Sequence, residues 1–159
     1  MKTKKDFDTI IWMKERIVSL FDKSKLNVYC KVDDYIVDIV NEINSYDHIM
    51  TMHSCEGHYK NMYYNSETDK CEEGPEYFST PYLSFRVDEI GWDLFWSKCA
   101  PDLATSEEDF GGMVRISIND YISEGVDYAM ISIYGSDDGE GKPYFWNKTR
   151  RIFNKYFGN

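Results

Sequence analysis

Apolar and polar positions alternate with two different periods along this chain, and the switches between them outline the fold. Over residues 5–22, "KDFDTIIWMKERIVSLFD", Phe7, Ile10, Ile11, Ile17, Val18 and Phe21 recur at three- and four-residue steps, which predicts an amphipathic helix. A second helix is predicted in "VDDYIVDIVNEINS", with Asp33 as N-cap and an apolar stripe of Ile36, Val37, Ile39, Val40 and Ile43. Four strand-like segments follow: "HIMTMHS", "PYLSFRVD", "MVRISIND" and "DYAMISIYG". In the second, Tyr82, Ser84 and Arg86 alternate with Leu83, Phe85 and Val87. In the third, Arg115, Ser117 and Asn119 alternate with Val114, Ile116 and Ile118.

"DEIGWDLFWSKCAPDL" reads as helical up to Pro101, and "KPYFWNKTRRIFNKYF" as a last helix with proline in its first turn and a stripe of Phe145, Ile152, Phe153 and Tyr156. "YISEGVDYA" suggests a hairpin joining the last two strands. The stretch Tyr59–Thr80, rich in Tyr, Glu, Gly and Ser, reads as a binding loop or lid, or as a surface insertion. The expected architecture is a single α+β domain over residues 1–159: a mostly antiparallel sheet of four or more strands flanked by about four helices.

Composition adds a charge pattern. The net charge is −10, yet residues 1–5 and 142–159 hold eight basic residues and no acid, which leaves −18 for the stretch between. Extended nucleic acid is bound mainly through basic faces that release counterions, so this body disfavours it and favours a small ligand. No apolar run is long enough for a membrane span, and the start lacks the apolar core and cleavage site of a signal peptide. A cytoplasmic setting with reduced thiols is therefore expected for Cys30, Cys55, Cys71 and Cys99, which form no C-x-x-C pair. A homo-oligomer is left open.

Candidate chemistry gathers in "HIMTMHSCEGHYK", which contains all three histidines. Three readings stand side by side. His53, Cys55 and His58 are candidate metal ligands, with zinc the natural ion, although a fourth ligand is not evident and a metal is not favoured. Cys55 is a candidate nucleophile, with His53 or His58 as base and Glu56 as orienter, in a hydrolase or transferase. The third reading, which asks least of the sequence, is a strand running into a tight turn. There Thr51, His53 and Ser54 offer donors, and Gly57 takes a positive φ beside a ligand's polar edge.

On these residues the chain resembles a known family. "KDF…KSKLNVYCKVDDYIVDIVNEINSYDHIMTMHSCEGH" is similar to the N-terminal part of the third wybutosine-synthesis enzymes, tRNA methyltransferases that use S-adenosylmethionine. Val32, Asp33, Ile36, Val40, Ile43 and Asn44 match the helix, and Thr51, Ser54, Cys55 and Gly57 match the strand and turn. His53, Glu56 and His58 stand where that family has serine, serine and arginine. "SCEGH" followed by "PYLSF" also resembles small bacterial and phage proteins. The resemblance covers about the first sixty residues. It implies a ligand site at the strand end for an adenosine-containing or nucleotide-like small molecule, which a phage protein would use to sequester a nucleotide signal. S-adenosylmethionine or zinc are the cofactors the motifs admit. The ligand-binding set expected is Thr51, His53, Ser54, Cys55, Gly57, His58, Tyr59, Tyr63, Tyr82, Arg86 and Arg115, with the tyrosines as stacking rings and the arginines for phosphate or carboxylate. A further alternative is a protein–protein module that uses "YFWNKTRRIFNKYF" as a docking helix.

Overall fold

The computed structural model describes residues 4–25, 32–55, 57, 60–76, 80–105, 114–120, 122–135 and 142–158. In chain order the elements are α1 (Lys4–Ser19), α2 (Val37–Asn44), β1 (Ile49–Cys55), β2 (Lys60–Asn65), β3 (Lys70–Glu76), β4 (Tyr82–Val87), α3 (Glu89–Leu94), α4 (Ala100–Ala104), β5 (Arg115–Asn119), β6 (Ile122–Ser123), β7 (Val126–Asp127), β8 (Met130–Tyr134) and α5 (Lys142–Phe157). A four-stranded antiparallel sheet in the order β1-β4-β8-β5 is the frame of one α+β domain. No helix among the described residues is long and apolar enough to cross a membrane.

The two periodicities meet on one face of this sheet. Leu83, Phe85, Val87, Ile131 and Ile133 are fully buried, and Ile116 and Ile118 pack against the same cluster. Helices α2, α4 and α5, with the turns that precede α2 and follow α3, supply the opposing layer: Ile36, Val40, Ile43, Phe95, Leu103, Phe145, Trp146, Ile152 and Phe153. Phe85 sits at the centre, edge-on to Phe95 at 5.1 Å and to Phe153 at 5.4 Å. Burying such rings is worth about 1.5–3 kcal/mol each, with a further increment from edge-to-face geometry. The aromatic stripe of α5 thus covers the sheet, which leaves no exposed docking face of Phe145, Trp146, Ile152 and Phe153.

Several local expectations change. Ile10 and Ile11 are 37% and 55% exposed, so among the stripe residues whose side chains are described only Ile17 is fully buried. Asp33 is extended and precedes a 3-10 turn at Asp34–Ile36 without a side-chain capping bond, and α2 begins three residues later. The helix predicted to stop at Pro101 continues to Ala104, because a π turn at Phe95–Cys99 restarts it and puts proline where no N–H is required. Within Tyr59–Thr80, a segment read as loop, β2 and β3 form an antiparallel hairpin. The hairpin expected in "YISEGVDYA" is present as β6–β7, turning through Glu124 (φ 51°) and Gly125 (φ 77°). Two successive positive φ values are what a two-residue hairpin loop requires.

Side chains pin the ends of the sheet. The Lys23 ammonium donates to the carbonyls of Asn44 (2.7 Å) and Tyr46, closing the C-terminus of α2. Asp88 accepts from the Gly91 N–H at 2.8 Å as the N-cap of α3, and its other oxygen meets His48 Nδ1 at 2.7 Å. Gly91 is obligatory there, since a Cβ would come within 2.1 Å of the His48 carbonyl oxygen. Arg16 reaches from α1 to Asp120 (2.8 Å) and Asp127 (2.7 Å), clasping both chains of the β6–β7 ribbon at its open end.

Candidate functional site

The face of the sheet turned away from the helices is polar. Pairing places its side chains in rows: Cys55, Tyr82, Tyr134 and Arg115 in one, and His53, Ser84, Ser132 and Ser117 in the next, with Met50 opposite Arg86 beyond them. A β-bulge makes this arrangement on β1. Thr51 pairs with Phe85 and His53 pairs with Ser84, so Met52 is the extra residue. Unbroken alternation from Ile49 and Thr51 would have sent His53 and Cys55 toward the helices. The bulge turns both to the outer face and sends Ser54, opposite Leu83, to the helical side.

The expected ligand set is therefore divided. His53, Cys55, Tyr82, Arg86 and Arg115 share the outer face. Thr51 lies on the helical side, clamped by Asn44: its hydroxyl accepts from Asn44 Nδ2, and its N–H donates to Asn44 Oδ1, both at 2.8 Å. Gly57 has φ 90°, the positive value expected of it. Glu56, His58, Tyr59 and the Tyr63 side chain lie outside the described residues.

Two recesses open on the outer face. One, of about 500 Å³, is lined by Thr80, Tyr82, Arg115, Ile116, Ser117 and Tyr134. Its Tyr82 and Tyr134 rings are 6.0 Å apart and tilted by 41°. The other, of about 270 Å³, is lined by Leu20, Lys25, Met50, Met52, His53, Arg86, Gly125 and Asp127. Its His53 ring stacks on Tyr128, with centroids 5.5 Å apart and planes at 26°. Among the described residues lining the two, Lys25, Arg86 and Arg115 are cationic and Asp127 alone is anionic. That carboxylate is itself paired with Arg16. The described lining thus carries a local surplus of positive charge on a protein of net charge −10.

Electrostatics follow from the same neighbours. Burial, and then the Arg86 charge, hold His53 below its ordinary value of 6.5, which favours the neutral imidazole at pH 7. Burial pushes the Tyr134 hydroxyl up. Hydrogen bonds involving Ser117, Ser132 and Asn119, together with the Arg115 charge, outweigh it, and the net shift is downward. Arg86 is 8% exposed and donates from Nε to the Ala129 carbonyl (2.9 Å) and from Nη2 to the Asp127 carbonyl (2.8 Å). It holds the approach to β8 in place as well as lining the recess. Ser84 and Ser132 bond each other at 2.7 Å, and Asn119 donates to Ser132 at 2.9 Å.

Of the candidate metal donors, only His53 and Cys55 lie among the described residues, and no group of three His, Cys, Asp or Glu side chains there is arranged to hold an ion. Neither Cys55 nor Cys99 is in a disulfide. Cys99 is buried, which pushes it up to about 12 and makes it unreactive. The ligand set expected from the sequence omits Tyr134, Tyr128 and Ser132, and it omits Ser117 and Asn119 although both stand out as polar positions of their strand. The outward phase of "RISIN" and "MISIY" carries four of them, while Tyr128 is positioned by the turn after β7. Compared with known protein families, curated proteins and solved structures, the chain matches none, so the site is argued from its own geometry.

Proposed function

We propose that the chain is a small-molecule-binding protein whose ligand, a nucleotide-like anion with an aromatic ring, lies on the outer face of the sheet. The observation that carries this reading is the register that puts Tyr82, Tyr134 and Arg115 side by side around the larger recess. Two rings and a guanidinium are the pieces that stacking and phosphate recognition use. The neutral His53 and the surplus of cations around the two recesses add to it. The similarity of residues 48–57 to the strand end of the wybutosine-synthesis methyltransferases supports an adenosine-containing ligand, and kinship with that family is part of the proposal. Methyl transfer is not.

Thermal denaturation in the presence of nucleosides, nucleotides and S-adenosylmethionine tests this. A ligand present at a hundred times its Kd stabilises the folded state by about 2.7 kcal/mol, a shift of several degrees for a chain of this size. A flat response across the panel would remove the reading. A second reading has one observation in its favour: the bulge brings His53 and Cys55 onto the same face beside the recesses. In a Cys/His enzyme, Cys55→Ala would abolish turnover, whereas in a binding protein it leaves the ligand-induced shift in place.

A further inference from the structure

Residues 89–104 run as one helical rod through α3, the π turn and α4, and they press one side onto the core with Trp92, Phe95, Cys99 and Leu103 buried. The opposite side is open. Ile90, 55% exposed, and the half-buried Leu94 line a recess of about 320 Å³ together with Asp93, Ser97 and Lys98. Steps of three and four residues put these five side chains on one helical face. The apolar surface continues onto α1. Lys14 bridges from there to Glu89 at 2.5 Å, and the exposed Ile10 and Ile11 lie one turn before it. Single exposed isoleucines are ordinary, but three of them on two adjoining helices beside one recess form a patch.

The charges on this face say what covers it. Glu89 and Asp93 stand toward the N-terminal end of the stripe, and Lys98 stands toward its C-terminal end. Turned over by a two-fold axis, the stripe is complementary to itself. With Asp93 opposite Lys98 of a second copy, Leu94 falls opposite Ser97, and Ile90 opposite the exposed Pro101. Large side chains then face smaller ones, which suits close packing of two helices at about 8–10 Å. The two helix dipoles also run in opposite directions. A partner of a single charge sign would instead leave one end of the stripe facing a like charge.

We infer that this face is where two copies of the chain associate, with their 89–104 helices antiparallel about Leu94 and Ser97. One helix from each copy and a flanking isoleucine pair make a small interface, so the dimer forms reversibly in the micromolar range. Sedimentation equilibrium of the full chain over a concentration series tests this. The average mass is expected to rise from that of one chain to that of two. Ile90→Glu should hold it at one chain, whereas Ile122→Glu, at an exposed position on the β6–β7 ribbon, should leave the rise unchanged. Asp93→Lys and Lys98→Asp should each weaken association by about tenfold or more, because the two-fold axis repeats every like-charge contact. Combining the two reversals should restore it. All four positions are exposed, and an unchanged circular dichroism spectrum at dilution confirms that each variant is folded. A mass of one chain at every concentration would overturn the inference, as would association that survives Ile90→Glu. A double reversal that fails to restore association would overturn the antiparallel pairing of Asp93 with Lys98.

Discussion

His53 has an outward-facing ring that is nonetheless half-buried, and the Arg86 guanidinium lies close by. Both effects oppose the imidazolium, so its folded-state value lies below the 6.5 it would have unfolded. The sign of the linkage follows. Above 6.5 both states are neutral here and the group is silent. As pH falls through 6.5 toward the folded value, the unfolded chain takes up the proton first and stability declines. Urea midpoints measured from pH 7.5 to 5 should therefore fall in the wild type and fall less in His53→Gln. Parallel curves would show that His53 does not titrate as its surroundings dictate.

At the scale of elements, the bulge in β1 decides what the site contains. Deleting Met52 would remove the extra residue and leave a regular ladder, with Thr51 and Ser54 still toward the helices and His53 and Cys55 still on the outer face. Thiol reactivity reports this directly. In a background with Cys30 and Cys71 changed to serine, native Cys55 should react readily with an aromatic disulfide reagent, while Cys99 stays inert at about 12. Deleting Met52 should leave that rate within a few-fold, and a slowing of tenfold or more would mean that the pairing of Cys55 with Tyr82 does not set its direction. This element also marks the limit of what the sequence discloses. Alternation in "YLSFRV" and "RISIN" was enough to assign Arg86 and Arg115 to one polar face, because each of those strands keeps a strict period of two. "IMTMHSC" carries no glycine or proline to announce an extra residue, so Thr51 and Ser54 were grouped with His53 although they face the other way. The β2–β3 hairpin was hidden for a different reason: its residues are mostly polar or aromatic on both phases, and no apolar alternation separates strand from loop. Asp33 and Pro101 misled by being good signals one step removed from the observed helix boundaries.

Across the whole molecule the sheet divides two tasks between its faces, and mutation should separate them. The helical face carries the stability: Phe85 is fully buried against Phe95 and Phe153, and removing its ring leaves a cavity that the packed helices cannot close. Phe85→Ala should cost about 3–5 kcal/mol. The outer face carries the recesses, and Tyr134, on the strand immediately next to Phe85's, points into one of them half-buried. Its ring meets Tyr82 at 6.0 Å beside that recess rather than within the filled core. Tyr134→Ala should cost less than half as much stability, yet remove the ligand-induced rise in thermal midpoint. Phe85→Ala should keep that rise, measured from its lower starting point, at temperatures where it is folded. The reverse pattern, in which Tyr134 governs stability and Phe85 governs the ligand response, would mean that the polar face is a second packing surface and that the binding site lies elsewhere. Because Leu83, Phe85 and Val87 alternate with Tyr82, Ser84 and Arg86 along a single strand, the two tasks differ by one residue of phase.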